Sequence, residues 1–400
     1  MTGGAGDGGP AAESAEQEGS GPESSGPESS GPQLRVTTLE LFFDLVFAFT
    51  LTQLTALLAS RFSLAAGLQV LLVFGLLWWM YEGYAWLTNA RPPARTAERL
   101  LLLVGMAGFL VIGLAIPHGF GDSALALGLG YLTVVVVHGC LYFRVNANIV
   151  RVVPFNLTSA VLVTVASLAR GPSGAERPAG YVLWVAALAV QLGSPLIVHP
   201  RGRFELRPGH LAERHSALVL VALGESVAAI GAGATRSGSE NARLAVAAVL
   251  GLALAAALWW TIFGGGEQEQ FERVLTSATS ERRTTLALSA LFYGNIPLLL
   301  GVIAMAAGVR QAISHSAALT AGPVSAAVAL GAGAGLFLAG DVAIRHLMGL
   351  GRERQRATAA ALALATIPAG ALIAIEAQLA LITVMLVVLL VLERHLPAAP

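Results

Sequence analysis

Two carboxylates, Glu40 and Asp44, stand near the start of an apolar stretch that runs from Leu39 through Phe42, Phe43, Leu45, Val46, Phe47 and Phe49 to Leu54 and Thr55. At helical spacing they lie one turn apart on one face, and Ala48, Thr52 and Thr55 continue that face. The rest of the circumference is Phe, Leu and Val. A carboxylate near the centre of a bilayer costs roughly 2.5–3.5 kcal/mol on insertion scales, so such a group faces protein or water rather than lipid. The chemistry open to it is cation binding or proton exchange. The plainer alternatives are an ion pair with a neighbouring helix or, for Glu40, snorkelling to the surface.

Other polar residues in apolar surroundings admit the same two readings. Glu225, in Ala222-Leu223-Gly224-Glu225-Ser226-Val227, lies about 18 Å along one helix from Glu213 at 1.5 Å per residue, past the membrane middle. Its face carries Arg214 eleven residues back, and Gly224, Ala228 and Gly231 allow close helix approach. His138 stands mid-span, as a hydrogen-bonded structural residue or a proton carrier. Asp341 and Arg345 are one turn apart and suit an intrahelical ion pair, and Arg144 is placed to partner a carboxylate of its own half. Glu82 follows a Trp pair near a membrane face and reads as snorkelling. Gly331, Gly333 and Gly335 read as a packing surface. The candidates for ion or substrate binding are therefore Glu40, Asp44, Thr52, Glu225 and His138, and those for structural pairs are Arg144, Arg214, Asp341 and Arg345.

Several chemistries have no residues to perform them. There is no lysine at all, hence no Walker lysine for ATP-driven transport. His210 and His215 are five apart and share no helix face, so no metal site is evident. No Gly-x-Ser-x-Gly elbow or Cys–His arrangement marks a hydrolase, and nothing calls for a cofactor. The one cysteine, Cys140, allows no disulfide within the chain. A clustered basic surface for nucleic acid is also missing.

The elements that must position these residues are membrane helices. The chain is 55% hydrophobic and only 12% charged, with a mean hydropathy of +0.70, far from a soluble domain's mix. Residues 1–34 differ: they are Gly, Ser, Pro, Glu and Ala with an imperfect Ser-Gly-Pro-Glu-Ser repeat, and the composition predicts a disordered cytoplasmic tail without a signal peptide. Beyond Arg35, apolar runs of about 20 residues, the length needed to cross ~30 Å of hydrocarbon, fall near 36–59, 64–87, 99–117, 123–144, 151–169 and 179–198. A second set lies near 211–233, 243–263, 284–308, 320–344, 357–374 and 376–393. The last two share one apolar run, with a bend at Pro368-Ala369-Gly370, so the count is twelve with eleven as the alternative. Connections after even-numbered spans hold sixteen Arg and those after odd-numbered spans six, which puts both termini in the cytoplasm.

The two sets resemble each other. Trp78-Trp79 in span two matches Trp259-Trp260 in span eight, Arg144 after span four matches Arg345 after span ten, and Glu40 and Glu213 open spans one and seven. The expected architecture is an all-α polytopic membrane bundle of two parallel six-helix repeats, 35–198 and 199–396.

The opening Glu40-Leu41-Phe42-Phe43-Asp44-Leu45-Val46-Phe47-Ala48-Phe49, followed by Leu51-Thr52-Gln53-Leu54, resembles the signature of the bacterial low temperature requirement protein A family. Trp78-Trp79, Gly83-Tyr84-Ala85-Trp86-Leu87-Thr88-Asn89, Tyr142-Phe143-Arg144, His210-Leu211-Ala212-Glu213-Arg214-His215, Ala222–Val227, Trp259-Trp260 and Gly340-Asp341 fit in order. That resemblance implies a multi-pass bacterial membrane protein, named for a cold-growth phenotype, and supplies no mechanism. More narrowly, Glu40, Phe42, Asp44, Val46, Phe47 and Ala48 also resemble the first helix of six-helix endosomal and bacterial potassium-leak channels, with Phe43 where those have Ser. Span seven lacks that motif.

These readings leave a secondary transporter or permease of a small solute or ion, using intramembrane carboxylates, ahead of two alternatives. One is a potassium-type cation channel with span one at the pore; the other is a non-transporting inner-membrane factor needed for growth in the cold. The expected partners are the lipid bilayer and a small solute, a proton or a monovalent cation. Assembly into a homo-oligomer stays open.

Overall fold

The computed structural model describes residues 1–4, 36–143, 151–169, 178–198, 206–237, 242–314 and 323–395. The chain divides into Met1–Leu34 and Arg35–Pro400. The tail expected at 1–34 lies almost wholly outside the described residues, as does Arg144. The described part of Arg35–Pro400 is helical.

The first half holds α1 (Thr38–Ser60), α2 (Leu64–Ala90), α3 (Thr96–Ala115), α4 (Ala124–Tyr142), α5 (Val153–Leu168) and α6 (Pro178–Ile197). The second holds α7 (Pro208–Ser237), α8 (Ala242–Phe263), α9 (Glu267–Ser277), α10 (Ser280–Leu286), α11 (Gly294–Ser314), α12 (Val324–Met348), α13 (Glu353–Ala365), α14 (Ile367–Leu372) and α15 (Ile375–His395). Among the described residues, nine helices are long and apolar enough to cross a membrane, and α5 is a shorter apolar helix.

Each boundary has a local cause. Helix α1 starts at a capping box in which Thr37 Oγ1 accepts from Glu40 N (3.3 Å) while the Glu40 carboxylate accepts from Thr37 N (2.8 Å). Ser63 caps α2 through Ala66 N. Helix α12 ends at Gly349 in the left-handed region (φ 67°), which a glycine adopts without a Cβ clash. The break between α13 and α14 falls at Thr366, two residues before Pro368, where the sequence placed a bend.

Two elements were not expected. Residues 267–277, a loop in the hydropathy reading, form α9, whose Phe271 and Val274 pack with Leu275 against Leu211 and Leu291. Residues Ala287–Tyr293 form a π-helical segment joining α10 to α11 in one continuous helix, Ser280–Ser314. Widening a helix by one residue per turn releases carbonyls that must find other donors inside a membrane. Here Trp78 Nε1 donates to Phe292 O (3.0 Å) and Asn295 Nδ2 to Leu291 O (2.7 Å).

In the first half α1 packs on α3, α3 on α4, α4 on α5, α5 on α6 and α6 on α2. In the second, α7 packs on α11, α11 on α12, α12 on α13, α14 on α15 and α15 on α8. The α11–α12 contact is the closest: a Cβ at Gly301 would stand 2.5 Å from Phe337 N and 2.6 Å from Gly333 O, so only glycine allows these backbones to meet. Helix α1 is central and also touches α7 and α11.

Candidate functional site: buried charges between α1, α2 and α7

Helices α1 and α7 run in the same direction, because their contacts advance together: Glu40 with His210, Asp44 with Arg214, Thr52 with Glu225. The polar face of α1 is thus covered by α7, and α2 closes the third side with Tyr81, Glu82, Thr88 and Asn89.

At the heart of this contact is Arg214, 1% exposed. Its Nε and Nη2 both donate to Asp44 Oδ1 (3.0 and 2.9 Å), and Nη1 donates to Thr88 Oγ1 (2.6 Å). Nη1 also lies 3.8 Å from Glu40 Oε1. Tyr81 Oη donates to the same Asp44 oxygen (2.9 Å). The guanidinium sits 5.5 Å from the Phe43 ring centre and 5.4 Å from that of Tyr81, within cation–π range. A buried ion pair of this kind survives because extra hydrogen bonds satisfy the remaining donors. Arg214, which the sequence set on the face of Glu225, therefore partners Asp44 on another helix.

Two histidines flank Arg214, and their partners assign their protons. Asn89 Oδ1 accepts from Arg207 N (3.0 Å), which turns the Asn89 amide so that Nδ2 donates to His210 Nδ1 (3.2 Å). The hydrogen of neutral His210 then lies on Nε2, which faces Glu40 Oε2 at 3.3 Å. Among the described residues, His215 has no such donor. Its Nδ1 faces Leu211 O (2.8 Å), which can only accept, and its Nε2 faces Glu82 Oε1 (2.7 Å). A neutral imidazole and an ionised carboxylate would oppose two lone pairs at 2.7 Å, so this pair holds one further proton between Nε2 and Oε1. Glu82, expected to snorkel, is 2% exposed and is a member of this pair. The correction has a physical reason: His215 reaches it from α7, and no single-helix reading shows that contact.

A cavity adjoins each side of the pair. His215 lines one of about 80 Å³ together with Asn295, Asp341 and Arg345. Glu82 lines another of about 150 Å³ together with His138, Asn156 and Trp79. His138 is buried, and its Nε2 lies over Gly83, where a Cβ would be 2.6 Å away.

Glu225, deeper along α7, accepts from Thr52 Oγ1 (2.6 Å) and lies within electrostatic reach of Arg310 on α11. Asp44 and Glu225 are thus held at separate levels of the α1–α7 contact, Thr52 being eight residues, about 12 Å, beyond Asp44.

The remaining candidates form a second cluster. Arg345 Nε donates to Asp341 Oδ2 (3.2 Å) within α12. Arg356 of α13 grips Glu393 of α15 with two parallel bonds of 2.9 Å, Asp341 Oδ2 at 2.7 Å and Thr261 O of α8 at 2.9 Å. Arg356 and Glu393 were missed because each stands at a helix end, where a charge reads as interfacial. Tyr81, Thr88 and Asn89 were missed as site residues, although Tyr81/Thr88 and Glu82/Asn89 each repeat at seven residues along α2, the signal of polar rows facing a partner. Among the described residues, no group of three or more His, Cys, Asp or Glu side chains is arranged to hold a metal.

Comparison with known proteins adds a relative and a family. An uncharacterized protein of Rhizobium meliloti (strain 1021), RA0937, is 29% identical over 327 residues, covering 79% of this chain and 78% of that one. The family model for the bacterial low temperature requirement A protein (LtrA) matches residues 35–391, from before α1 to within α15, including the buried charges between α1, α2 and α7. The chain is a membrane protein with many apolar helices and belongs to the LtrA family.

Proposed function

We propose that this protein is a proton-coupled secondary transporter of a small solute, with the Glu82–His215 pair as the proton-carrying group. The observation that carries the reading is that His215 Nε2 and Glu82 Oε1 stand 2.7 Å apart, buried, with a cavity bordering each side of the pair. A buried titratable pair with space on both sides is a functional candidate inside a membrane. Glu225, held by a single hydroxyl from Thr52, is the next carboxylate along the same helix and a second station for charge. Asp44, bound by Arg214 and Tyr81, is a strut rather than a carrier. A pore lined by α1 is disfavoured, because α7 covers the polar face such a pore would need.

The architecture that goes with this reading is twelve spans in two parallel repeats, 35–198 and 199–396, in the bacterial inner membrane with both termini cytoplasmic. Two observations support it. Helices α1 and α7 lie side by side in the same direction, as an even number of crossings between them requires. The order of packing in the first half, α1–α3–α4–α5–α6–α2, has the counterpart α7–α11–α12–α13/α14–α15–α8 in the second.

The test is flux in proteoliposomes carrying a trapped pH dye, challenged with amino acids, alkali cations, organic cations and weak acids. A saturable dissipation of the pH gradient by one class, lost in His215→Ala, is the expected outcome. Unitary current steps in planar bilayers would replace the transporter with a channel. Silence toward every class would leave a non-transporting factor.

A further inference from the structure

The cavity beside Glu82 has a composition that its neighbours do not explain. Its walls are Trp79, Trp86, Tyr142 and Phe292, contributed by α2, α4 and the π-helical segment. Trp79 and Phe292 meet edge to face, with ring centres 5.4 Å apart. Glu82 and His138 are also among its lining residues. Glu82 Oε2 is buried without a hydrogen-bond partner among the described residues. A buried carboxylate oxygen left unsatisfied in an apolar setting is costly, and a native structure keeps one where something else completes it. The volume, about 150 Å³, is room for a guest the size of a benzene ring.

We propose that this cavity binds a small organic cation, a protonated or quaternary amine, whose charge faces Glu82 Oε2 and whose alkyl groups rest on the rings of Trp79, Trp86, Tyr142 and Phe292. Aromatic faces attract alkylammonium groups through their quadrupoles, and the attraction grows when the site excludes water. A metal cation would need several oxygen ligands, and the lining offers one carboxylate with the amide of Asn156, whose Oδ1 already accepts from Trp79 Nε1 (2.8 Å). An anion would face Glu82 directly.

The inference rests on the transporter reading for its biological sense, and it gives that reading a substrate class and a coupling rule. Glu82 has two oxygens, Oε1 bonded to His215 and Oε2 without a hydrogen-bond partner among the described residues, and the residue lines the cavity. With the cavity empty, the proton shared with His215 neutralises the carboxylate. When an organic cation arrives at Oε2, the site holds two positive charges against one negative. The shared proton then leaves for solvent, the imidazole keeps its Nδ1 hydrogen on Leu211 O, net charge is unchanged, and the Nε2–Oε1 contact opens, because two lone pairs would otherwise oppose each other at 2.7 Å. Among the described residues, the other charged and titratable groups around the pair are Tyr81 on α2, His138 and Tyr142 on α4, Arg214 on α7 with Asp44 and Glu40 on α1, and Asp341 and Arg345 on α12. Asp44 is already matched to Arg214 and Asp341 to Arg345, so neither pair offers the leaving proton a closer acceptor. Cation and proton therefore exchange on one carboxylate.

The experiment titrates the full-length protein in detergent micelles with tetramethylammonium chloride, reading tryptophan fluorescence and, in unbuffered solution, proton release. Sodium chloride at equal ionic strength is the control. The expected result is a saturable fluorescence change with tetramethylammonium and none with sodium, accompanied by about one proton released per cation bound. Affinity falls roughly tenfold or more in Glu82→Gln. Glu82→Asp, which keeps the charge, retains binding, and Trp86→Leu, which leaves the Glu82–His215 pair intact, weakens it. A response identical in Glu82→Gln and wild type, or no saturable response in a wild type that melts as a folded protein, overturns the inference. Micelles carry no gradient, so this assay is independent of transport. Binding without flux in proteoliposomes would refute the transporter and leave the site standing. Proton-coupled flux of another solute class, with tetramethylammonium inert in micelles, would do the reverse.

Discussion

Asp44→Asn is expected to prevent the protein from accumulating. The substitution keeps the shape of the side chain but removes the charge to which Arg214 Nε and Nη2 donate, and it leaves the guanidinium 1% exposed with Thr88 and a carboxylate oxygen of Glu40 3.8 Å away. Breaking one side of a buried pair costs about 3–5 kcal/mol because the stranded charge stays behind. That is comparable to the lower part of the ~5–15 kcal/mol by which folded proteins are stable. Removing both partners separates this account from a functional one. Asp44→Leu with Arg214→Met replaces the pair by apolar groups and should recover much of the lost accumulation, since such replacements are often neutral. The check is membrane-fraction yield and thermal stability in detergent. An Asp44→Asn protein as abundant and heat-stable as wild type would show that the pair does not hold α1 to α7.

Arg356→Met should be at least as damaging, because one guanidinium ties four helices. It holds Glu393 on α15 through two bonds, Asp341 on α12 and the Thr261 carbonyl on α8, all from α13. Without it Asp341 keeps Arg345, but both oxygens of Glu393 lose their donors. The expected cost is again about 3–5 kcal/mol. Arg356→Lys should rescue little, since an ammonium cannot match a fork of two parallel bonds and two further acceptors at once. Thermal melts of Arg356→Met, Glu393→Gln and the double variant measure the coupling. Additive losses would show that the two side chains act separately.

The two clusters differ in how far the chain alone reveals them. Of the twelve spans expected, hydropathy placed the nine that are membrane-length helices among the described residues, because an apolar run of that length is a one-dimensional signal. It also marked Asp44, Arg214 and Glu225 as charges in the wrong solvent. It could not pair them, because α1 and α7 are 170 residues apart in the Asp44–Arg214 contact and nothing along one helix states which neighbour it meets. Glu82 shows the same limit more sharply: a glutamate eight residues from the end of α2 can snorkel or turn inward, and His215 on another helix decides. The π-helical segment left no trace in the hydropathy, since a one-residue slip changes hydrogen bonds and not composition. Helix α9 was legible in principle. Its Phe271, Val274 and Leu275 fall at i, i+3 and i+4, the stripe of a helix lying on an apolar surface, but its length is too short for a span and so it passed as a loop.

His210 and His215 make the mechanistic point in miniature. They sit five residues apart on α7, each beside a glutamate, yet a single amide separates their chemistry. Asn89 donates to His210 and lets it stay neutral; the Leu211 carbonyl accepts from His215 and leaves its other nitrogen to share a proton with Glu82. The most direct measurement is nitrogen and carbon NMR of the protein in bilayers, labelled at histidine and glutamate, with His215→Gln and Glu82→Gln used to assign the signals. At neutral pH the expected result is one proton on the pair: His215 with hydrogen on both nitrogens, or Glu82 in its acid form bonded to Nε2. A bare His215 Nε2 facing an ionised Glu82 carboxylate would contradict the account.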